Sequence, residues 1–165
     1  MPIWFVWIFL FFAIAVIFVA VVGNKSASIG HSYELVAHLV SPAESRFLKV
    51  LNSILDGRYI VFVKVRVADV LKPRKLGSSK NWIRAFNAIK AKHFDFVLCE
   101  PDSFQIVAVI ELDDSTHSSK SARRRDAVKN SACKSAKVPL LRIRARSKYD
   151  PADINGLLKE ILNRN

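Results

Sequence analysis

The stretch HFDFVLCEPDSFQIVAVIELDDSTH, residues 93–117, decides how this chain folds. It contains two apolar runs, 94–99 and 104–112, separated by the turn-forming residues Glu100, Pro101, Asp102 and Ser103. Runs rich in Val, Ile and Phe on either side of such a break predict a β-hairpin. Each run interrupts its apolar pattern with a carboxylate. Asp95 lies inside the first, and the second ends in Glu111, Leu112, Asp113 and Asp114, shortly before His117. An ionised side chain in a buried strand costs several kcal/mol unless a partner or a metal compensates it. Function is therefore sought first in this hairpin.

Side chains alternate across a strand, so Glu111 and Asp113 share a face and Leu112 points away. The position of Asp95 depends on the hairpin register. A three-residue loop pairing Glu100 with Phe104 sets Asp95 opposite Val109, on the face of Glu111 and diagonal to it, about 7–8 Å away at the backbone. A two-residue loop sets it opposite Ala108, on the other face, because a slip of one residue reverses every side chain. A shared site thus requires an odd loop or a bulge. Asp95 and Glu111, with a main-chain carbonyl and water, form an oxygen-rich set suited to Mg²⁺ or Mn²⁺ rather than zinc. Such an ion activates water and neutralises charge developing on a phosphodiester. His117 is placed to act as general acid or base. The plainer alternative makes Asp113 and Asp114 helix caps and His117 an exposed first-turn residue. Capping explains neither Asp95 nor Glu111.

Beyond His117, residues 119–136 lack strong breakers and predict a helix with Ala122, Val128, Ala132 and Ala136 turned inward. Its other faces carry Lys120, Arg123, Arg124, Arg125, Lys129 and Lys134. That one-signed surface is expected to meet backbone phosphates. A solvated face, with Arg123 and Asp126 as a simple i, i+3 pair, is the alternative. Residues 138–143 predict a further strand, and Pro151 starts a last helix with Ile154, Leu157, Leu158, Ile161 and Leu162 apolar.

Upstream of the hairpin, Ser41, Pro42 and Glu44 place an N-cap, a first helical residue and a capping-box partner. Phe47, Leu51, Ile54 and Leu55 follow at helical spacing, and Gly57 ends the helix. Residues 59–67 predict a strand in which Val61, Val63, Val65 and Val67 share one face, against Ile60, Phe62, Lys64 and Arg66. A basic connection, 68–76, leads to a second amphipathic helix marked by Trp82, Ile83, Phe86 and Ile89. The expected fold class is α/β, a mixed sheet flanked by helices.

Residues 3–22 carry no charge, and twenty residues at about 1.5 Å each span about 30 Å, a hydrocarbon thickness. Trp4 and Trp7 stand near the start, where interfacial aromatics belong. A signal peptide is the alternative, but no Lys or Arg precedes the run and it exceeds a typical apolar region of about 7–15 residues. The expected organisation is a transmembrane anchor over 1–22, a juxtamembrane linker over 23–40 and the α/β domain over 41–165. Every Lys and Arg follows the run, which predicts a single-pass protein in the inner membrane with its domain in the cytoplasm. A length of 165 residues suffices for one domain with a core. A net charge of +12, from 26 Lys and Arg against 14 Asp and Glu, points to polyanionic partners, nucleic acid or anionic lipid. Cys99 and Cys133 lack metal-ligand spacing and read as core residues.

Several separated motifs carry a resemblance. Asp95 in a strand, then residues 110–117 (IELDDSTH), then Arg123, Asp126 and Lys129 on a helix, then residues 139–142 (PLLR), together with VRVADVL and AFNAIKAKHFDFVLCEPD, resemble a bacterial domain family of unassigned function. That family is placed in the restriction-endonuclease-like PD-(D/E)XK fold, near the very-short-patch-repair endonucleases, and the likeness covers about residues 41–150. It implies Asp95 and Glu111 as the first two acidic positions, with Asp113 where a Lys is expected. The repair branch also lacks that Lys and uses a downstream His, which His117 resembles. Glu44 matches an acidic residue on the first helix of many relatives, and Lys64 is a stand-in for the absent Lys. The resulting expectation is a metal-dependent nuclease acting on DNA. A binding module of the same fold without catalysis and a basic scaffold at a membrane surface are the alternatives.

Overall fold

The computed structural model describes residues 4, 7, 10–14, 16, 32–74, 78–113 and 120–163, the side chains of 120–123 excepted. The chain divides into two compact units, Met1–Val36 and Ala37–Asn165.

In the first unit, residues 4, 7, 10–14 and 16 are helical. Among the described residues no helix is long and apolar enough to cross a membrane. This corrects the transmembrane anchor expected over 1–22, and with it the single-pass membrane localisation. A crossing needs about 20 consecutive, mostly apolar helical residues.

The second unit is a mixed α/β domain. Its order is α1 (Pro42–Leu55), β1 (Ile60–Arg66), α2 (Val67–Val70), α3 (Ser79–Ile89), β2 (His93–Cys99), β3 (Ile106–Asp113), α4 (Lys120–Ala136), β4 (Leu140–Arg144) and α5 (Pro151–Leu162). Four strands form one sheet in the order β1-β2-β3-β4, antiparallel except for the parallel pair β3 and β4. The parallel step follows from α4, which crosses over the sheet between those strands. α1 begins with the expected capping box: Ser41 Oγ accepts from the Glu44 amide, and Glu44 accepts from the Ser41 amide.

Apolar side chains separate into two buried clusters. Phe47, Leu51 and Leu55 of α1 and Ile154 and Leu158 of α5 pack with Phe96, Leu98, Ala108 and Ile110. Val67, Leu71, Ile89 and Cys133 pack with Phe94, Val97, Cys99 and Val109. Strand alternation sends successive residues of the central strands to opposite clusters, so the sheet is covered on both faces.

β1 departs from the expected single apolar face. Val61 and Val63 lie against the first cluster, whereas Val65 lies against the second. The reversal occurs at Lys64, whose φ of 53° is left-handed. A side chain in that region costs about 1–2 kcal/mol, and the altered backbone turns the following residues to the other face. β2 changes face at the facing position. Phe96 belongs to the first cluster and Phe94 to the second, and they pair with Val63 and Val65 respectively.

Candidate functional site

The hairpin register determines whether its two carboxylates meet. Glu100 and Gln105 close the turn, with the Glu100 amide donating to the Gln105 carbonyl at 3.0 Å. Cys99 pairs with Ile106, but the next pair is Leu98 with Ala108, so a bulge lies between Leu98 and Cys99. An even loop alone would have put Asp95 and Glu111 on opposite faces. The bulge restores the parity as far as the pair Phe96 with Ile110, which adjoin Asp95 on one strand and Glu111 on the other. The Leu112 amide donates to Asp95 Oδ2 at 2.9 Å, tying the first carboxylate to the strand that carries the second.

Each carboxylate has a lysine. Lys64 Nζ lies 3.3 Å from Asp95 Oδ1 and also donates to Glu44 Oε1, so one ammonium joins α1, β1 and β2. Lys129 reaches down from α4 to Glu111 Oε2 and lies 3.4 Å from the His93 carbonyl. Burial pushes the Glu44 carboxyl up, but hydrogen bonds from Lys64 and Ser41 together hold it below its ordinary value. Burial pulls Lys64 down, and the two carboxylates outweigh it and raise the ammonium. At Glu111 the balance runs the other way. The residue is 3% exposed, and burial pushes its carboxyl up to about 7 in spite of Lys129, with Asp95 adding to the rise. Glu111 Oε1 is buried without any hydrogen-bond partner.

Asp113 has a different role from Asp95 and Glu111. Its Oδ1 accepts from Arg142 of the neighbouring parallel strand at 2.5 Å. The same guanidinium donates to Asn130 at 3.0 Å and faces Asp126 at 3.3 Å. Asp126 therefore pairs across to β4. This clasp fixes the C-terminal end of β3 to α4. Of the basic set proposed for phosphate contact, Arg124 and Arg125 are exposed, while Lys129 is turned inward. The side chains of Lys120 and Arg123 lie outside the described residues, as does His117, whose expected proton-handling role has no geometry here.

An Mg²⁺ or Mn²⁺ ion asks for hard oxygen donors, commonly one or two carboxylates with water completing the shell. Asp95 and Glu111 fit that demand, and the unpartnered buried Oε1 is an acceptor that a cation satisfies. Among the described residues no group of three or more His, Cys, Asp or Glu could hold a metal ion by itself. A separate groove of about 680 Å³ lies between α3 and α4, lined by Trp82, Ala85, Ile89, Val128 and Ala132 among others. It includes none of these acidic groups.

The sequence pattern pairs Asp95 with Glu111 and puts Lys129 among the phosphate contacts, whereas the fold turns Lys129 onto Glu111. The signal for its inward position is faint: Lys129 adjoins Val128 and stands four residues before Cys133, both packed in the second cluster. The part played by Arg142 had no sequence signal, because its three partners come from β3 and two turns of α4.

A family model for a protein of unknown function, DUF2726, matches residues 36–161. The chain belongs to that family. The match takes in every element from α1 to β4 and nearly all of α5, and so spans all the acidic and basic side chains described above. No curated protein and no solved structure matches the chain.

Proposed function

We propose that this member of the family is a metal-dependent phosphodiesterase acting on DNA. The observation that carries the reading is a buried Glu111, next to the Leu112 amide that binds Asp95, with one oxygen unpartnered and the other held by Lys129. The resemblance of about residues 41–150 to a family placed in the PD-(D/E)XK fold, near the very-short-patch-repair endonucleases, supports it further. Asp95 and Glu111 would hold an Mg²⁺ or Mn²⁺ ion, which supplies Lewis-acid polarisation of a phosphoryl oxygen and a more acidic water. Lys129 orients Glu111 and keeps positive charge beside the phosphate position. Arg124 is exposed on α4 and would meet a DNA backbone, a role also assigned to Lys120 and Arg123. His117, seven residues before Arg124, is assigned proton transfer to or from the departing oxygen.

The full-length chain should nick or degrade plasmid DNA with Mg²⁺ or Mn²⁺, and Glu111→Gln should remove that activity while leaving DNA binding in place. Failure of every divalent metal to support cleavage, or full activity in Glu111→Gln, refutes the proposal. A second reading, a DNA-binding module without turnover, is favoured by one observation: Glu44, Asp95, Glu111 and Asp113 already have cationic partners in Lys64, Lys129 and Arg142. It predicts salt-sensitive binding with no product under any metal.

A further inference from the structure

Among the described residues with left-handed backbone, Asp56 follows α1, Phe104 lies in the hairpin loop and Lys137 follows α4. Lys64 alone occupies a strand interior. A β-strand can carry a lysine without this distortion, so the distortion needs a reason. Its consequence is visible in the contacts: the ammonium reaches Glu44 on α1 and Asp95 on β2 together. Glu44 already has its cap partner in Ser41. A lysine serving Glu44 only would have no need to approach Asp95.

On Asp95 the two oxygens are not equivalent. Oδ2 is taken by the Leu112 amide at 2.9 Å, leaving Oδ1 as the oxygen open to a cation, and Oδ1 is where Lys64 sits at 3.3 Å. Across the strand, Glu111 Oε1 is buried and unpartnered. Three carboxylates (Glu44, Asp95 and Glu111) are thus set against two ammonium groups (Lys64 and Lys129). Removing Lys64 exposes Oδ1 and makes the cluster more negative. Both changes favour an incoming divalent ion.

We propose that Lys64 is the resident cation of the Glu44 and Asp95 carboxylates and competes with a divalent ion for Asp95 Oδ1, so that it sets the metal concentration the site requires. The inference rests on the reading of Asp95 and Glu111 as cation-holding residues. Lys64 keeps the acidic cluster folded without metal, and its ammonium must leave Oδ1 when metal enters. It stays on Glu44 as it does so, which makes it a positioning residue rather than one acting on the substrate.

The test uses Mn²⁺ alone as the probe, with binding to the full-length chain followed by titration calorimetry and by the electron paramagnetic resonance of free Mn²⁺. Lys64→Met, which keeps much of the side-chain length and removes the charge, should tighten Mn²⁺ binding about tenfold or more, equivalent to about 1.4 kcal/mol. Lys64→Arg, which keeps the charge, should not tighten it. Glu44→Gln removes the alternative resting place of the ammonium and should weaken Mn²⁺ binding, which provides a reading if Lys64→Met fails to fold. Unchanged or weaker binding in Lys64→Met overturns the proposal, as does unchanged binding in Glu44→Gln. Glu111→Gln separates the two levels. If it abolishes Mn²⁺ binding while Lys64→Met matches wild type, only the competition is wrong. If Glu111→Gln binds like wild type, the cation-holding pair itself is wrong, and the competition falls with it.

Discussion

Replacing Glu111 with Gln should make the metal-free protein more stable at alkaline pH and leave it nearly unchanged in acid. Glu111 is 3% exposed, and burial lifts its carboxyl from 4.5 to about 7 even with Lys129 beside it. A folded-state value above the unfolded one means that the native protein favours the protonated carboxyl. The associated stability is fully present below about pH 4.5 and is lost as the pH rises through about 7. A difference of about 2.5 units corresponds to about 3 kcal/mol when both values have been passed. Integrating between them places about 2.5 kcal/mol of that loss between about pH 5 and about pH 8. Gln resembles the protonated carboxyl in shape and never ionises, so it avoids the loss. Urea unfolding of the full-length protein and its Glu111→Gln variant, in chelator at these two pH values, measures the offset. The variant should gain about 2–3 kcal/mol at the higher pH and under about 1 kcal/mol at the lower. An equal offset at both values, or a less stable variant at about pH 8, refutes the claim that Glu111 is held against its ionisation. Such a result would also remove the main physical reason for placing a cation there.

Lys129→Met leaves Glu111 buried without its counter-ion, and breaking a buried pair costs about 3–5 kcal/mol. Thermal unfolding at about pH 8 should show that loss, and it should shrink in acid as Glu111 takes up a proton. Ser41→Ala removes the cap that starts α1 and should destabilise the domain by about 1 kcal/mol in the same measurement. Cys99 and Cys133 are free and buried, with burial raising both thiols, Cys133 to about 11. Neither should react with a thiol reagent at about pH 8 until the chain unfolds. Rapid labelling of the native protein would show that these strands open readily.

The helices were legible from local signals. Ser41, Pro42 and Glu44 announce α1, Pro151 announces α5, and apolar spacing marks α3 and α4, because capping and helical periodicity act over one or two turns of chain. The hairpin strands were legible for the same reason, as apolar β-forming runs on either side of a turn. The apolar run at residues 3–22 misled, since it predicts an anchor from hydropathy alone, and no described helix is long and apolar enough to cross a membrane.

Asp95 and Glu111 could be named as a candidate pair from the sequence, because charges inside apolar strands have few uses. Their meeting could not be read there. It depends on a bulge at Leu98 and Cys99, where the shift of one residue selects the face of every side chain beyond it. The left-handed turn at Lys64 is equally hidden, since alternating Val residues predict one apolar face and only the packing of two separate cores makes β1 serve both. The inward course of Lys129 and the clasp of Arg142 depend on α4 lying over β3 and β4. The sequence by itself thus determined the elements, their apolar faces and which acidic residues were out of place, all of which are local properties. Tertiary structure alone decided which charges share a site and which cation each one holds, because those contacts join residues 16 to 31 positions apart through a register that no local pattern encodes.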